Sequence, residues 1–363
     1  MPPRRRRRLD PSTFRLSPEQ IRAASELDAG GVVAESVLEA DARPARVTVE
    51  IAAERAGVVC GVDEVVAMMK VGAADWARLV VHALYDGDRV EAGGAALTVE
   101  GSYSEAARLS QLAVGVLARR TRVCTNARRL VDAARPKPVA VFPGRHDHWL
   151  VHAGDAYAAA VGGAVAGERG VLRLGGRGAP RAAVMPHSLI AAYAGSTADA
   201  ARRFAEGIGG DAQIVVPVDH ENDSVRTALE VARALGAAGG GLDARLWGVQ
   251  LATSEYMVDR SILSDMGTFP PAGVNPALVW RVRNALDAEG LGDVRILASG
   301  GFTVSKIRAF EEEGVPVDAY GVGAALLAGE QGFTADVVAL DGAPPARAGR
   351  PAWEPSGRLE RVK

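Results

Sequence analysis

The chain has 363 residues, 48% of them hydrophobic, which is more than one ordinary domain needs and enough to bury a large core. A formal net charge of −2 and a pI near 6.3 exclude the strongly basic balance that nucleic acid or an acidic membrane would ask for, so the expected partner is a small molecule. Cys60 and Cys124 stand alone without a CxxC spacing, which excludes a disulfide framework and a thiolate zinc site, and no apolar run approaches the ~20 residues of a membrane span. With an N-terminus that lacks the apolar core of a signal peptide, the expectation is a cytoplasmic protein that meets neither nucleic acid nor membrane.

In chain order, residues 1–15 contain the run Arg4 to Arg8 without interleaved aromatics and read as a disordered basic tail. Residues 16–135 read as an α+β domain. "ARVTVEIAAERAGVVCGVDEVVAMMK" predicts a strand, a short strand and a helix, and "GDRVEAGGAALTVEG" has the glycine punctuation and period-two spacing of a hairpin. A long helix follows on Leu109, Leu112, Val116 and Leu117, with Arg119, Arg120, Arg128 and Arg129 crowding its later turns. Arginines grouped in this way form either a solvated face or an anion site.

From residue 136 to 330 the texture changes to short β runs alternating with helices, the signature of βα units and a parallel sheet. "KPVAVFP", "AQIVVPVD", "RLWGVQLAT", "VRILASGG" and "VDAYGVG" are the predicted strands. Asp223 and Asn275 are placed to cap the helices that follow two of them, and Gly236 and Gly290 to end those helices. Such units make a barrel or an open doubly wound sheet, and in both the site lies beyond the carboxyl ends of the strands. Residues 331–363 lack helical period and are expected to pack as extended chain on another domain.

Four strand ends carry residues suited to chemistry. "VDHEND" offers Asp219 as a carboxylate for Mg²⁺ or ribose hydroxyls, with Asp223 read as a helix cap. "ASGGF" and "YGVG" bring Ser299, Gly300, Gly301, Gly321 and Gly323 to strand-to-helix turns whose backbone N–H groups can cradle phosphate. "FPGRHDHW" puts Arg145 just past a strand, suited to a carboxylate or phosphate through its planar fork, with His146 and His148 on one side of an extended chain and no third metal ligand specified. His187 in "VMPHSLI" stands at a helix start, where a polar or a catalytic role is open.

"LARRTRVCTNARRLVDAA", "FPGRHDHWLVHAGDAYAA", "MPHSLIAAY", "VDHENDSVRTALEVARALG", "LWGVQLATSEYMVDRSI", "GVNPALVWRVRNALDAEG" and "SGGFTVSKIRAFEEEGVPVDAYGVG", in that order and followed by "FTADVV", resemble nicotinate phosphoribosyltransferases over nearly the whole chain. The resemblance implies an α/β fold of the type II phosphoribosyltransferase kind: an irregular, TIM-like αβ barrel at 136–330 with an N-terminal α/β sandwich domain at 16–135, completed by the C-terminal tail at 331–363. It implies joining of nicotinate to 5-phosphoribosyl diphosphate, with diphosphate released, as in NAD biosynthesis, in a homodimer or larger homo-oligomer without an organic prosthetic group. ATP is then used through His187, and Mg²⁺ is held at Asp219. Carried over by position, His187, Asp219 and Arg145 are the catalytic candidates; Arg119, Arg120, Thr121, His148, Ser299, Gly300, Gly301, Gly321 and Gly323 are the substrate and phosphate candidates.

The departures are at named positions. Where the family reads Val-Arg-Leu-Asp-Thr, this chain reads Val249-Gln250-Leu251-Ala252-Thr253. The early Thr-Asp-x-Tyr-Phe, whose tyrosine is expected to stack on the pyridine, falls on Leu27-Asp28-Ala29-Gly30-Gly31; a Glu-Thr pair has become Ser110-Gln111, and a Gly-Thr pair Ala183-Val184. Loss of an arginine and a carboxylate removes two charge-assisted contacts worth ~1.5–3 kcal/mol each, while the caps and glycine turns are intact. These departures carry the expectation of an altered substrate or chemistry, such as cleavage of a modified nucleotide or handling of a different pyridine-like base. Ordinary nicotinate transfer and a non-catalytic nucleotide-binding paralogue are the alternatives.

Overall fold

The computed structural model describes residues 7–14, 16–25, 29–41, 45–142, 147–166, 171–174, 181–208, 212–236, 245–267, 269–343 and 356–362. They form two compact units, residues 1–125 with 328–363 and residues 126–327. The division falls within one 32-residue helix, Tyr103–Ala134. No helix among the described residues is long and apolar enough to cross a membrane.

The first unit is built on strands β1 (Arg46–Ala53), β2 (Gly57–Val58), β3 (Val80–Ala83), β4 (Arg89–Val90) and β5 (Ala95–Ser102). Period-two alternation along β1 buries Val47, Val49, Ile51 and Ala53 on one face. Against that core lie Val62, Val65, Val66 and Met69 of helix Val62–Gly72, with Leu109, Ala113 and Leu117 of the long helix, both at helical spacing. The glycine-punctuated stretch expected as a hairpin does not close on itself. β5 is taken on both sides, by β1 and β3, and β4 pairs instead with β2.

Most of the described C-terminal segment joins this sheet: Phe333–Leu340 runs antiparallel to β1, and Glu360–Arg361 antiparallel to β3. Of the expected disordered tail, the described part is anchored. Arg8 donates to Asp63 Oδ1 at 3.0 Å and to the carbonyls of Leu84 and Ala83 at 2.6 and 3.0 Å, and its guanidinium lies 3.9 Å from the centroid of the Tyr85 ring. A guanidinium with this many partners is a structural peg. Cys60 and Cys124 are both free and buried. Hydrogen bonding to Cys124, together with burial, pushes the Cys60 thiol far above its ordinary range, so it is an inert core group.

The second unit is one sheet of eight strands: β6 (Val139–Val141), β7 (Val165–Ala166), β8 (Val171–Leu172), β9 (Ala182–Val184), β10 (Gln213–Pro217), β11 (Leu246–Leu251), β12 (Arg295–Ala298) and β13 (Ala319–Val322). In space they run β7-β6-β13-β12-β11-β10-β9-β8 and wrap into a nearly closed, barrel-like sheet. All neighbours are parallel except β8 and β9. The five strands predicted from the sequence are the five consecutive central ones. β10, β11 and β13 are buried along nearly their whole length, as a sheet covered on both faces requires. The helices between them are capped as their sequences predict: Asp223 accepts from Arg226 N at 3.2 Å, and Asn275 accepts from Leu278 N at 3.0 Å with Pro276 in the first turn. The consequence is that the carboxyl ends of β9 to β13 come to one rim.

Candidate active site

At the ends of β9 and β10 the chain places an imidazole against a carboxylate. The backbone bond from Met185 N to Val215 O, 2.9 Å, continues the pairing past β9, after which Pro186 caps the short helix His187–Ala192. β10 is extended likewise by Val218 N donating to Gln250 O at 3.0 Å, which delivers Asp219 to the rim. His187 Nε2 and Asp219 Oδ1 then lie 2.9 Å apart, with His187 40% exposed and Asp219 15%. A carboxylate bound to one ring nitrogen orients the imidazole, the arrangement used by general acid–base groups and nucleophilic histidines. Glu221 and Asp223 of the same segment are used locally, both pairing with Arg226.

At the ends of β11 and β12 the network is neutral. Gln250, 7% exposed, donates from Nε2 to Ser299 Oγ at 2.9 Å, and Ser299 Oγ donates to Leu251 O at 3.1 Å. The next two residues, Gly300 and Gly301, have φ of +86° and +66°, conformations that only glycine adopts without strain. Thr303 caps helix Val304–Glu312 by accepting from Lys306 N at 3.2 Å. The Lys306 ammonium reaches back to Gly300 O at 3.4 Å and lies 4.6 Å from the Phe302 ring centroid. Burial holds it below the ordinary lysine range, while the charge of Glu255 acts in the opposite direction.

Gly321, inside β13, is required by packing. A Cβ there would lie 2.7 Å from Phe142 Cε2 and 2.8 Å from Ser299 Cβ. The backbone therefore comes within contact distance of Ser299 and leaves the rim open. Between these strand ends is a cavity of about 950 Å³ within the second unit. Its lining combines His187, Gln250, Ser299 and the glycines 300, 301, 321 and 323 with apolar walls from Phe142, Leu172 and Val184. Cavities of this kind, with few polar groups on largely apolar walls, are the usual form of a small-molecule site.

The cavity thus gathers most of the barrel residues singled out in the sequence, together with Val184 and Ala252 from the departed positions. Arg145 and His146 lie outside the described residues. His148 does not line the cavity; its Nδ1 accepts from Leu150 N at 3.3 Å and starts a 3-10 turn. Arg120 and Thr121, expected at a phosphate, are occupied elsewhere: Arg120 forms a bidentate pair with Glu64 at 2.8 and 3.2 Å, and Thr121 Oγ1 bonds Cys60 N and O. The arginine run marks one helix face, and Arg120 meets a part-buried acid of the first unit there; Arg119, from the same run, is likewise in the first unit and not on the cavity. Ser110 bonds the carbonyl of Ala106 within its own helix, and Ala183 is buried in β9. Gly30 and Gln111 meet at a separate cavity of about 140 Å³ in the first unit.

Glu255 and Tyr256, which also line the cavity, and Lys306, which backs its glycine turn, were not legible as site residues. Each depends on how a turn folds back. Among the described residues no group of three or more His, Cys, Asp or Glu side chains is placed to hold a metal ion. Asp219 has one oxygen engaged by His187 and does not form a metal cage by itself.

Comparison with known proteins agrees with this geometry. Residues 32–121 match the family described as quinolinate phosphoribosyl transferase, N-terminal domain. A nicotinate phosphoribosyltransferase of Mycobacterium tuberculosis is 27% identical over 288 residues, covering 77% of this chain; the chain spans 57% of that relative's length. Among solved structures, a nicotinate-nucleotide pyrophosphorylase from Pyrococcus furiosus superposes with a TM-score of 0.73 at 27% identity, over 92% of this chain and 80% of the other. Human nicotinic acid phosphoribosyltransferase shares the fold alone, at 16% identity and a TM-score of 0.62, over 90% of this chain and 77% of the other.

Proposed function

We propose that the chain, which is similar to type II phosphoribosyltransferases in sequence and fold, acts on the N-glycosidic bond between 5-phosphoribose and a pyridine-like base, with substrate or chemistry departing from plain nicotinate transfer. The observation that carries the reading is the single cavity that brings His187, Ser299 and the glycine turns of two strands together with Gln250. In the proposed site the N–H groups of the Gly300–Gly301 turn, at the start of helix Val304–Glu312, take the 5-phosphate, and Lys306 behind them balances its charge. The apolar side formed by Phe142, Leu172 and Val184 receives the base and excludes water from the bond that breaks. His187, oriented by Asp219, exchanges a proton with the leaving or entering group. ATP, where used, would supply its phosphoryl group to His187. The described residues build no Mg²⁺ cage.

Gln250 supports the altered chemistry. Its amide is tied to Ser299, and Ala252 beside it is apolar, so the end of β11 presents no charge to a diphosphate. The second reading, ordinary joining of nicotinate to 5-phosphoribosyl diphosphate, is favoured by the activity named for the relative in Mycobacterium tuberculosis. A base panel separates the two. The protein is incubated with 5-phosphoribosyl diphosphate, Mg²⁺ and nicotinate, nicotinamide, quinolinate or bulkier substituted pyridines, and in parallel with nicotinate mononucleotide, while diphosphate and free base are followed. Turnover led by an arm other than nicotinate plus 5-phosphoribosyl diphosphate supports the proposal; turnover led by that arm supports the second reading.

A further inference from the structure

The residue Glu255 is absorbed by none of the roles above. It follows β11 in a turn closed by Met257 N donating to Ser254 O at 2.9 Å, three residues beyond Ala252 and on the same cavity. A Cβ on Gly301 would overlap the Glu255 carboxylate, so the carboxylate lies directly on the glycine turn. Among the described residues no donor is hydrogen-bonded to it, whereas Asp219 Oδ1 is engaged by His187. Glu255 is also the one carboxylate among the described side chains that line this cavity.

We infer that Glu255 is the sugar-facing carboxylate of the site, accepting the ribose 2- and 3-hydroxyls of the phosphoribosyl group whose phosphate rests on the Gly300–Gly301 turn. The inference rests on the phosphoribosyl reading above and names the group that positions the sugar. A carboxylate on a phosphate turn repels the phosphate unless donors or cations stand between them. The ribose diol supplies two donors one furanose ring away from the phosphate, and Lys306, on the carbonyl of Gly300, supplies the cation. Glutamate is a methylene longer than aspartate, which lets a residue three positions past Ala252 return over the rim. Gly301 leaves the space into which it folds.

The test is calorimetric titration of the wild type, Glu255→Gln and Glu255→Ala with ribose 5-phosphate, 2-deoxyribose 5-phosphate and inorganic phosphate, with thermal unfolding as the fold control. The wild type is expected to prefer ribose 5-phosphate over the deoxy sugar by about tenfold, the worth of a hydroxyl hydrogen-bonded to a charged group. Both variants are expected to lose that preference while binding inorganic phosphate at least as tightly as the wild type does. A preference retained in Glu255→Ala overturns the inference and leaves the phosphoribosyl reading standing. A wild type that binds neither sugar phosphate overturns both.

Discussion

Gln250 and Ser299 join the ends of two neighbouring parallel strands through one hydrogen bond, from the Gln250 amide to the Ser299 hydroxyl at 2.9 Å. Ser299 passes its own proton to Leu251 O, so the floor of the cavity is a closed chain of neutral groups. An arginine at 250 would leave this chain and place a cation at the strand end. Gln250→Leu should remove the donor without breaking the Ser299–Leu251 bond, costing about 1 kcal/mol of stability by urea unfolding. A loss several times larger would mean that the amide organises more of the rim than its hydrogen bond to Ser299.

His187 and Asp219 should act as a unit. His187→Asn and Asp219→Asn are each expected to lower turnover by about 10²–10⁴, with the double variant little worse than either one. The His187 side chain is 40% exposed, so the unfolding free energy of His187→Asn should stay within about 0.5 kcal/mol of the wild type. Multiplicative losses in the double variant would show that the two groups act independently.

Gly321→Ala should be costly for a side chain of one carbon. The added methyl meets the Phe142 ring and Ser299 Cβ at distances no packed pair adopts, so about 1–3 kcal/mol of stability should be lost. The denaturation midpoint reports this, and an unchanged midpoint would place the β13 backbone farther from Ser299 than it stands here.

Lys306→Met separates the charge of the turn from its packing. Burial depresses the folded-state value of Lys306, so at any pH below that value both states are protonated and the burial penalty is fully present. Between the depressed value and the ordinary one near 10.5 the unfolded chain holds more protons, so wild-type stability gains with rising pH. The variant should lack that gain, be no less stable at pH 7, and bind ribose 5-phosphate about tenfold more weakly. Unfolding free energies from pH 7 to 10, with calorimetric titration, check all three.

What could be read from the sequence follows from how local each signal is. The five central barrel strands and the caps at Asp223 and Asn275 are written in short apolar runs and single polar residues, and Asp219 and Ser299 stand at ends those runs define. The pairing of β4 with β2 is not local, so a hairpin-like pattern pointed to the wrong partner. Arg120 and Thr121 illustrate the same limit on a helix: the run of arginines is visible, and the acid Glu64 that neutralises one of them is 56 residues away. Glu255 and Lys306 reach the Gly300–Gly301 turn only after a loop and a helix start fold back upon it.

The central claim is that the neutral residues at 250 and 252 turn a phosphoribosyltransferase site away from plain nicotinate transfer. Its most direct test compares nicotinate-dependent diphosphate release by the wild type with that of Gln250→Arg combined with Ala252→Asp, at saturating 5-phosphoribosyl diphosphate and Mg²⁺ with and without ATP. Weak release by the wild type and a gain in the double variant are predicted. Strong release by the wild type, undiminished by comparison with the double variant, would contradict the account.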